Sequence, residues 1–421
     1  MNKSGHYYNV FFIKLGIWFF LLGAGCTSSV KKEEVDENSI RIIEVKNNLS
    51  NTKVIKLSDV ASNIEYCPLE TGDHCLVRYP GMKVYVSKDF IVTIGNQTLN
   101  VSPVYFVFNR KTGQFIREIS KHGQGPNEYT DAIESFWDKE NEQVCMSKGM
   151  TNCFYNLDGT LSHKIDFIPG VTMGNPSFVY KDYYIRYFQG VPRVKRIRPR
   201  IAFYDKNGFM IDSIPEYRLV NNINGPYTTY PGSGKFYVFQ DSLYYKDIFC
   251  DTLYNITDFT LQPRYIFNTG GLAIPYEIQA EGQYDDRRGD NLWDKYFIIN
   301  KINESSKHLY FTIEHRQQIF PAIYEKSQNK LQIMNPVTKP ATSQWRNMIG
   351  DLKYGFENDL NGGLPFWPQQ MVSDNEMMCV YTAAELLEMD ASKVTDPKLK
   401  KLLNSLKDDD NPVIAIVTLK D

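Results

Sequence analysis

The stretch Phe106-Val-Phe-Asn-Arg-Lys-Thr-Gly113-Gln-Phe-Ile116 decides the fold, because it returns twice along the chain. Phe154-Tyr-Asn-Leu-Asp-Gly159-Thr-Leu161 and Phe203-Tyr-Asp-Lys-Asn-Gly208-Phe-Met-Ile211 align with it. Each copy reads as a strand that ends after an aromatic residue, an Asn or Asp turn, a glycine able to take positive φ, and a second strand. The turn glycines lie 46 and 49 residues apart, so one hairpin recurs at a nearly constant spacing.

Weaker copies continue the series at Leu253-Tyr-Asn-Ile-Thr-Asp258 and Ile323-Tyr-Glu-Lys-Ser-Gln-Asn329. A period near 50 residues, with about four strands in each unit, is typical of a β-propeller blade. A β-sandwich would also contain turn signals, but it would not repeat the same hairpin at blade spacing. We therefore expect an all-β fold in which residues 40–421 form a single six-bladed β-propeller domain.

Both ends of this region contain strand signals, at residues 53–60 and 411–420. A propeller often completes its last blade with strands from both termini, which removes exposed edges, so we expect these two segments to pair. Residues 383–389 and 397–406 have apolar side chains at helical spacing, and Asp396 is a suitable N-cap for the second segment. They predict a small helical insertion in the final blade.

Residues 1–25 read as an export signal and do not belong to the fold. A short apolar run, residues 15–22, is followed by three small residues and then Cys26. This arrangement resembles a bacterial lipobox, whose cysteine is acylated and becomes the new N-terminus, although Gly23 stands where Leu is usual. We expect Cys26 to be the lipid attachment site. An ordinary secretory signal with an incidental cysteine is the alternative.

Residues 26–39 are polar and charged, and we expect them to form a flexible tether. Within them, Lys32-Glu33-Glu34 resembles the acidic signal that sends Bacteroidetes lipoproteins to the outer face of the outer membrane. We therefore expect an outer-membrane lipoprotein that is held to the membrane by its lipid anchor and exposed at the cell surface. A plain solvated linker is the alternative.

Composition excludes several classes of protein. Aromatic residues make up 14% of the chain against 23% charged residues, which indicates a folded protein. The formal net charge is −2 and becomes −4 once the leader, with two lysines and no acids, is removed. A dedicated nucleic-acid binder would be strongly basic, so we expect no nucleic-acid partner. No apolar run reaches the roughly 20 residues of a spanning helix.

Cysteine positions give one pairing hypothesis. Cys145 and Cys153 are symmetric about Gly149 in a hairpin signal, which would place them across from each other. Exported proteins can form disulfides, so a Cys145–Cys153 bridge is one prediction, and two small buried thiols are the alternative. The cysteine and histidine spacings match no metal-binding motif, and we expect no metal site from them.

The most specific motif in the chain is His122-Gly-Gln-Gly-Pro-Asn-Glu-Tyr129. Together with the hairpin spacing and Asn361-Gly-Gly-Leu-Pro-Phe-Trp-Pro368, it resembles the six-bladed β-propeller lipoproteins common in Bacteroidetes, related in architecture to NHL and TolB-like propellers. The resemblance spans nearly the whole chain after Cys26. It implies the fold and the envelope location, and it brings no catalytic residues or established activity.

The motif also supplies the first ligand-binding candidates. His122, Gln124, Glu128 and Tyr129 would face the central channel if the loop serves a ligand. The alternative is a fixed turn that links the outer strand of one blade to the inner strand of the next, since a Gly-Pro turn explains these residues without a ligand.

A second candidate is a run of five cations, Arg193, Lys195, Arg196, Arg198 and Arg200. Of these we take Arg193, Arg196 and Arg198 as candidate contacts for an acidic glycan or lipid headgroup. A solvated, charged hairpin is the alternative.

Trp367, next to Phe366, is a candidate for stacking on a sugar ring, although aromatic residues also fill the seams between blades. Three Asp-Ser or Asp-Thr triplets resemble the short O-glycosylation motif of Bacteroidetes, with Ser213, Ser242 and Thr252 as the acceptors. Such short patterns also occur by chance.

No Gly-x-Ser-x-Gly elbow and no His-Glu-x-x-His motif occurs in the chain. We therefore expect a non-enzymatic binding or protein-interaction module at the cell envelope, with a glycan, peptide or protein as its ligand and no cofactor. The alternative is a metal-dependent propeller enzyme of the lyase or lactonase type, with Ca²⁺ in the central funnel. Such enzymes collect their ligands from separate blades, so sequence spacing does not reveal them.

Overall fold

Six sheets, each built on four antiparallel strands, form the six blades of a β-propeller, as the hairpin spacing predicted. A computed structural model describes the chain over residues 40–77, 82–95, 104–125, 127–129, 134–148, 150–168, 177–188, 198–218, 234–281, 292–338 and 353–420.

Three strands and a short helix precede the first complete blade: β1 (Arg41–Glu44), α1 (Val45–Asn48), β2 (Thr52–Lys53) and β3 (Ala61–Pro68). Blade 1 contains β4 (Lys83–Val86), β5 (Phe90–Ile94), β6 (Tyr105–Asn109) and β7 (Phe115–Glu118). Blade 2 contains β8 (Glu134–Asp138), β9 (Gln143–Lys148), β10 (Thr151–Asn156) and β11 (Leu161–Asp166). Blade 3 contains β12 (Ser177–Tyr180), β13 (Tyr183–Tyr187), β14 (Arg198–Tyr204) and β15 (Met210–Glu216).

Blade 4 contains β16 (Gly234–Phe239), β17 (Ser242–Asp247), β18 (Thr252–Thr257) and β19 (Thr260–Asn268). Blade 5 contains β20 (Ile298–Glu304), β21 (His308–His315), β22 (Gln318–Glu325) and β23 (Lys330–Met334), with β24 (Val337–Thr338) added beside β22. Blade 6 contains β25 (Gln370–Ser373), β26 (Glu376–Tyr381) and β27 (Val413–Leu419), and β3 completes it.

Strands from both ends of the chain close the ring, but one of the predicted partners was wrong. β27 pairs with β3, over 61–68, and not with residues 53–60. Within 53–60, Lys53 ends β2, which pairs in parallel with β23, and Leu57–Asp59 forms a 3-10 turn. β1 likewise runs parallel to β19. The N-terminal segment therefore covers the outer edges of blades 4 and 5 before it closes blade 6, which leaves fewer unpaired strand edges.

The repeated hairpin joins the third and fourth strands of each blade in which the sequence identified it. Gly113, Gly159 and Gly208 have φ values of 73°, 91° and 82°, in the left-handed region that glycine tolerates. The weaker copies use Asp258 and Asn329 instead, at φ values of 47° and 52°. Asp and Asn are the residues that enter this region most readily after glycine, so they take its place in these two turns.

Aromatic residues fill the seams between neighbouring blades. Each of the six seams holds a cluster of buried side chains contributed by both blades, because the middle strands are covered on both faces. β21 and β22 are buried at every position except their ends. One fully or nearly fully buried aromatic residue from each seam illustrates this arrangement: Phe108, Tyr105, Phe154, Phe203, Tyr265 and Tyr310.

The predicted helical insertion lies between β26 and β27. It contains α2 (Ala383–Leu387) and α3 (Pro397–Ser405). The side chain of Thr382 accepts a hydrogen bond from the Glu385 N–H, and the Asp396 carboxylate accepts one from the Lys398 N–H at 2.8 Å. These caps satisfy free N–H groups at both helix starts. Within the described part of the chain, no helix combines the length and apolar character needed to cross a membrane.

Candidate functional site: the central channel

The innermost strands of all six blades surround a cavity of about 870 Å³ on the propeller axis. Its size falls in the range of small-molecule sites. One lining residue from each innermost strand, in blade order, shows how the ring contributes: Tyr85, Trp137, Phe178, Tyr237, Ile302 and Met371. We call this cavity the central channel.

Half-buried aromatic rings form one side of the central channel. Tyr85 and Trp137, from blades 1 and 2, stack with ring centroids 6.1 Å apart and planes 20° apart. Phe178 and Phe236, from blades 3 and 4, lie 5.8 Å apart with planes at 32°. These rings bridge neighbouring inner strands, so parts of four blades present flat apolar surface to the channel.

Three lysines of the channel wall are engaged with the protein. Lys301 Nζ donates to the Tyr354 hydroxyl at 2.7 Å, and Lys139 Nζ donates to the Val372 carbonyl at 3.0 Å. Lys353 forms an ion pair with Glu385 at 2.6 Å. These lysines therefore fix the wall more than they create a field of free positive charge.

Glu304 is the most enclosed acid of the channel wall, with a side chain that is 0% exposed. Arg264 and Lys326 form ion pairs with it at 3.0 and 2.7 Å, and the Tyr237 hydroxyl donates to it at 2.7 Å. Burial, followed by the charge of Glu304, raises the pKa of Tyr237 well above its ordinary value. Glu304 thus serves an internal network, in which both cations contact Oε1 and the Tyr237 hydroxyl donates to Oε2.

The loop 122–129 lies between β7 and β8, and those of its residues that the structure describes do not line the central channel. Glu128 folds back over it and accepts a hydrogen bond from the Gly125 N–H at 2.7 Å. Tyr129 is buried against Tyr105 at 5.3 Å, whereas His122 and Gln124 are exposed. The geometry matches the fixed blade-to-blade turn, and the four candidates from this loop are not brought to the channel.

The cationic run is only partly within the described residues. Arg193 and Arg196 lie outside them, and Arg198 starts β14 opposite Glu216. Arg200 is not solvated: it is 9% exposed, and its guanidinium contacts Asp247 at 2.5 Å and the Tyr245 hydroxyl at 3.0 Å. Arg200 therefore forms an internal ion pair between blades 3 and 4.

Trp367 does line the central channel, yet most of its surface is in the core. It is 6% exposed and stacks on Phe356 with ring centroids 5.9 Å apart and planes 23° apart. Tyr354 packs beside it at 6.1 Å. Trp367 therefore holds the wall of the channel between blades 5 and 6, and a narrow strip of it remains for a ligand.

The predicted Cys145–Cys153 disulfide is absent, because both residues carry a thiol and neither is bonded to another cysteine. The hairpin pairs Cys145 with Phe154 and Cys153 with Met146. Cys145 therefore lies opposite the residue after Cys153, a shift of one residue from the predicted pairing. A shift of one residue in register turns a side chain to the opposite face of the sheet. Cys145 consequently packs in the seam with blade 3 and Cys153 in the seam with blade 1, which agrees with the alternative of two small thiols in the core.

The three O-glycosylation candidates differ in access. Ser213 and Ser242 are half-buried, on the outermost strand of blade 3 and at the start of β17. Thr252 is 8% exposed, and its hydroxyl donates to Asp251 at 2.9 Å. An enzyme could reach Thr252 only before the blade folds. The lipid-attachment candidate Cys26 lies outside the described residues.

Sequence reasoning missed most of the channel wall. Tyr85, Trp137, Phe178 and Phe236 were not singled out, because each stands in a short strand with no motif around it. A usable signal exists: each lies on the first strand of a repeat, and the first strand of a propeller blade lines the axis. A repeat alignment extended upstream from the turn glycines would have selected these positions.

Two solved structures are similar to this chain. The first is the crystal structure of the "Putative exported protein (BF0058)" from Bacteroides fragilis NCTC 9343, with 17% identity, a TM-score of 0.61, and coverage of 91% of this chain and 100% of that one. The second is a member of the DUF4221 family from Bacteroides vulgatus ATCC 8482, with 10% identity, a TM-score of 0.47, and coverage of 86% and 97%. The first likeness shows the fold. No curated protein matches the chain.

The family model for the domain of unknown function DUF4934 matches residues 40–418. The match begins just before β1 and ends within β27, so it contains every blade of the ring. The chain therefore belongs to the DUF4934 family of β-propeller proteins.

Proposed function

We propose that this protein is a non-enzymatic binding module that holds a glycan in its central channel at the cell envelope. The observation that carries the proposal is the 870 Å³ cavity with half-buried aromatic rings from four blades. Sugar rings have apolar faces that pack on such flat surfaces. They also have hydroxyl groups that pair with neutral amides, and Gln240, Gln369 and Gln370 line the same channel.

The enzyme alternative finds no comparable support in the channel. Among the described residues, the group of three His, Cys, Asp or Glu side chains close enough to share a metal ion is Glu70, His74 and Cys75, and none of them lines the channel. Glu304, the buried acid of the wall, already contacts two cations at Oε1 and the Tyr237 hydroxyl at Oε2. No observation favours Ca²⁺ in the channel over the binding function.

A glycan array with the full chain tests the proposal, with Trp137→Ala and Tyr85→Ala as channel variants. Tyr217→Ala is the matched control, because Tyr217 is 71% exposed and does not line the channel. Losing one stacked ring removes about 1 kcal/mol, so each channel variant should bind a positive glycan about five- to tenfold more weakly. Unchanged affinity in both channel variants, or an array without any positive glycan, would refute the proposal; a peptide or protein ligand would then be the next to test.

We further propose that the protein is exported and lipid-anchored at Cys26, in the outer membrane and facing outward. The leader that precedes Cys26 and the Lys32-Glu33-Glu34 segment support this location, and the designation of BF0058 as exported agrees with it. A Cys26→Ala variant should lose its acyl group by mass spectrometry and leave the membrane fraction. Replacement of Glu33 and Glu34 by Ala should leave the acyl group in place and reduce digestion by protease added to intact cells. Membrane retention of the unacylated variant would contradict the anchor, and unchanged digestion would contradict the export signal.

A further inference from the structure

The loop between β3 and β4 brings three different metal-ligand side chains together at the place where the ring closes. One donor atom each of Glu70, His74 and Cys75 can be chosen so that all lie within 4.8 Å of one another. His74 Nε2 and Glu70 Oε1 are 3.9 Å apart. A tetrahedral ion with bonds of about 2.0–2.3 Å needs its ligand atoms roughly 3.3–3.7 Å apart, so small rotations of two side chains would complete the set.

Asn411, which is 1% exposed, holds the backbone of this loop in place. Its amide Nδ2 donates to the carbonyls of Glu70 and Cys75 at 2.6 and 2.8 Å, and its Oδ1 accepts from the Val77 N–H at 2.7 Å. The backbone of the loop therefore has its conformation without a bound ion, because the Asn411 side chain holds the main chain at both Glu70 and Cys75.

The side chains leave room on the open side of the loop. His74 and Glu70 have side chains that are 63% and 41% exposed, while Cys75 lies buried beneath them. At Gly72, an added Cβ would come within 3.1 Å of the imidazole and 3.7 Å of the Cys75 sulfur. The absence of a side chain at Gly72 thus keeps the imidazole and the thiol free to approach a common ion.

The charges also fit a divalent cation. A Cys75 thiolate and the Glu70 carboxylate together supply two negative charges beside a neutral imidazole. Ligation by a metal ion favours the thiolate over the thiol, so the bound ion itself would hold the cysteine in its ligating form.

We propose that Glu70, His74 and Cys75 bind a divalent cation of the zinc type, with water in the fourth position. Sulfur, imidazole and carboxylate ligands suit zinc, whereas calcium and magnesium prefer oxygen alone. The Glu70 N–H donates to the Gly113 carbonyl at 2.8 Å, and Glu70 Oε2 accepts from the Phe115 N–H at 2.9 Å, so the ion would strengthen the contact between blades 6 and 1. The site lies outside the central channel and stands whether or not the channel binds a glycan.

Cobalt titration of the full chain in a phosphine reductant tests this site, because a Co²⁺–thiolate bond gives a charge-transfer band in the near ultraviolet. We expect a band that saturates at one equivalent of Co²⁺ and disappears when Zn²⁺ is added. Cys75→Ser should abolish the band and weaken Zn²⁺ binding by about 100-fold or more. Serine is a suitable replacement because its hydroxyl can still donate to the Glu70 carbonyl, as the thiol does at 3.3 Å. Cys153→Ser, which removes a half-buried thiol in blade 2, is the matched control and should retain the band.

His74→Ala provides a second, independent variant. Its side chain is exposed, so the fold should tolerate the change, and zinc affinity should fall at least about tenfold. Saturating zinc should also raise the melting temperature of the wild-type chain and of Cys153→Ser, and not that of His74→Ala. The proposal is overturned if the wild-type chain gives no thiolate band, if the band persists in Cys75→Ser, or if His74→Ala binds zinc as tightly as the wild type.

Discussion

Replacing Gly113 by alanine should weaken the seam at which the ring closes. Gly113 turns the hairpin of blade 1 at φ 73°, and it lies directly against the end of β3 in blade 6. A Cβ at this position would stand 1.8 Å from the carbonyl oxygen of Pro68. Ordinary contact needs about 3.4 Å, so one backbone segment must move by more than an ångström.

Two separate costs add up at this position. A non-glycine residue in the left-handed region costs about 1 kcal/mol. Displacing packed backbone adds about 1–3 kcal/mol, as for other overpacked sites. We therefore expect Gly113→Ala to lower the free energy of unfolding by about 2–4 kcal/mol.

Gly271 offers the matched control, because its φ is 81° and an added Cβ would meet nothing within 4 Å. Gly271→Ala should carry only the conformational cost, about 1 kcal/mol. Urea denaturation followed by tryptophan fluorescence measures both variants against the wild type. If Gly113→Ala is no more destabilising than Gly271→Ala, the close contact between blades 6 and 1 does not exist as described, and the reasoning from blade packing fails.

Three further predictions concern the core, a buried charge and the thiols. Trp367→Ala should lower the free energy of unfolding by about 3–5 kcal/mol in the same urea assay, because the indole is 6% exposed and stacked. Trp367→Phe should keep most of the wild-type stability. If Trp367 were an exposed ligand-binding residue, Trp367→Ala would leave the stability unchanged. Burial lowers the pKa of Lys246 to about 8, so the lysine binds its proton more tightly in the unfolded protein than in the folded one. The free energy of unfolding of the wild type, relative to that of Lys246→Met, should therefore rise by about 3 kcal/mol between pH 8 and pH 10.5. A constant difference over that interval would contradict the buried position of Lys246. When the unfolded, unreduced protein is alkylated, mass spectrometry should find both Cys145 and Cys153 modified. If both cysteines stay unmodified, the disulfide exists and the structure is wrong at this pair.

The architecture was readable because its signals are local. A turn glycine with positive φ, an aromatic strand before it and a second strand after it form one hairpin, and nearest neighbours in the chain decide that structure. Repetition of the hairpin near 50 residues then predicted blades, and the seams accounted for the aromatic excess. The capped helices 383–387 and 397–405 followed from the same kind of local pattern.

The register of the strands and the choice of their pairing partners were harder to predict from the sequence. In the hairpin around Gly149, Cys145 pairs with Phe154 and not with Cys153 as predicted. This shift of one residue places Cys145 and Cys153 in different seams. The closing strand is 61–68 and not 53–60, because residues 52–53 already pair with blade 5. Both outcomes depend on which alternative buries more apolar surface across the whole ring, and a short sequence window does not contain that comparison.

From its sequence alone, this protein is determined to be a ring of repeated hairpins, because turn chemistry and strand patterning act between residues close in the chain. Only the tertiary structure decided which side chains form the central channel and which form the Glu70, His74 and Cys75 cluster beside Asn411. The channel gathers one or a few residues from each of six strands, and successive strands are roughly 40 to 70 residues apart. Asn411 meets its loop across more than 330 positions of the chain. Such groups come together only when the ring closes, and no local pattern records their meeting.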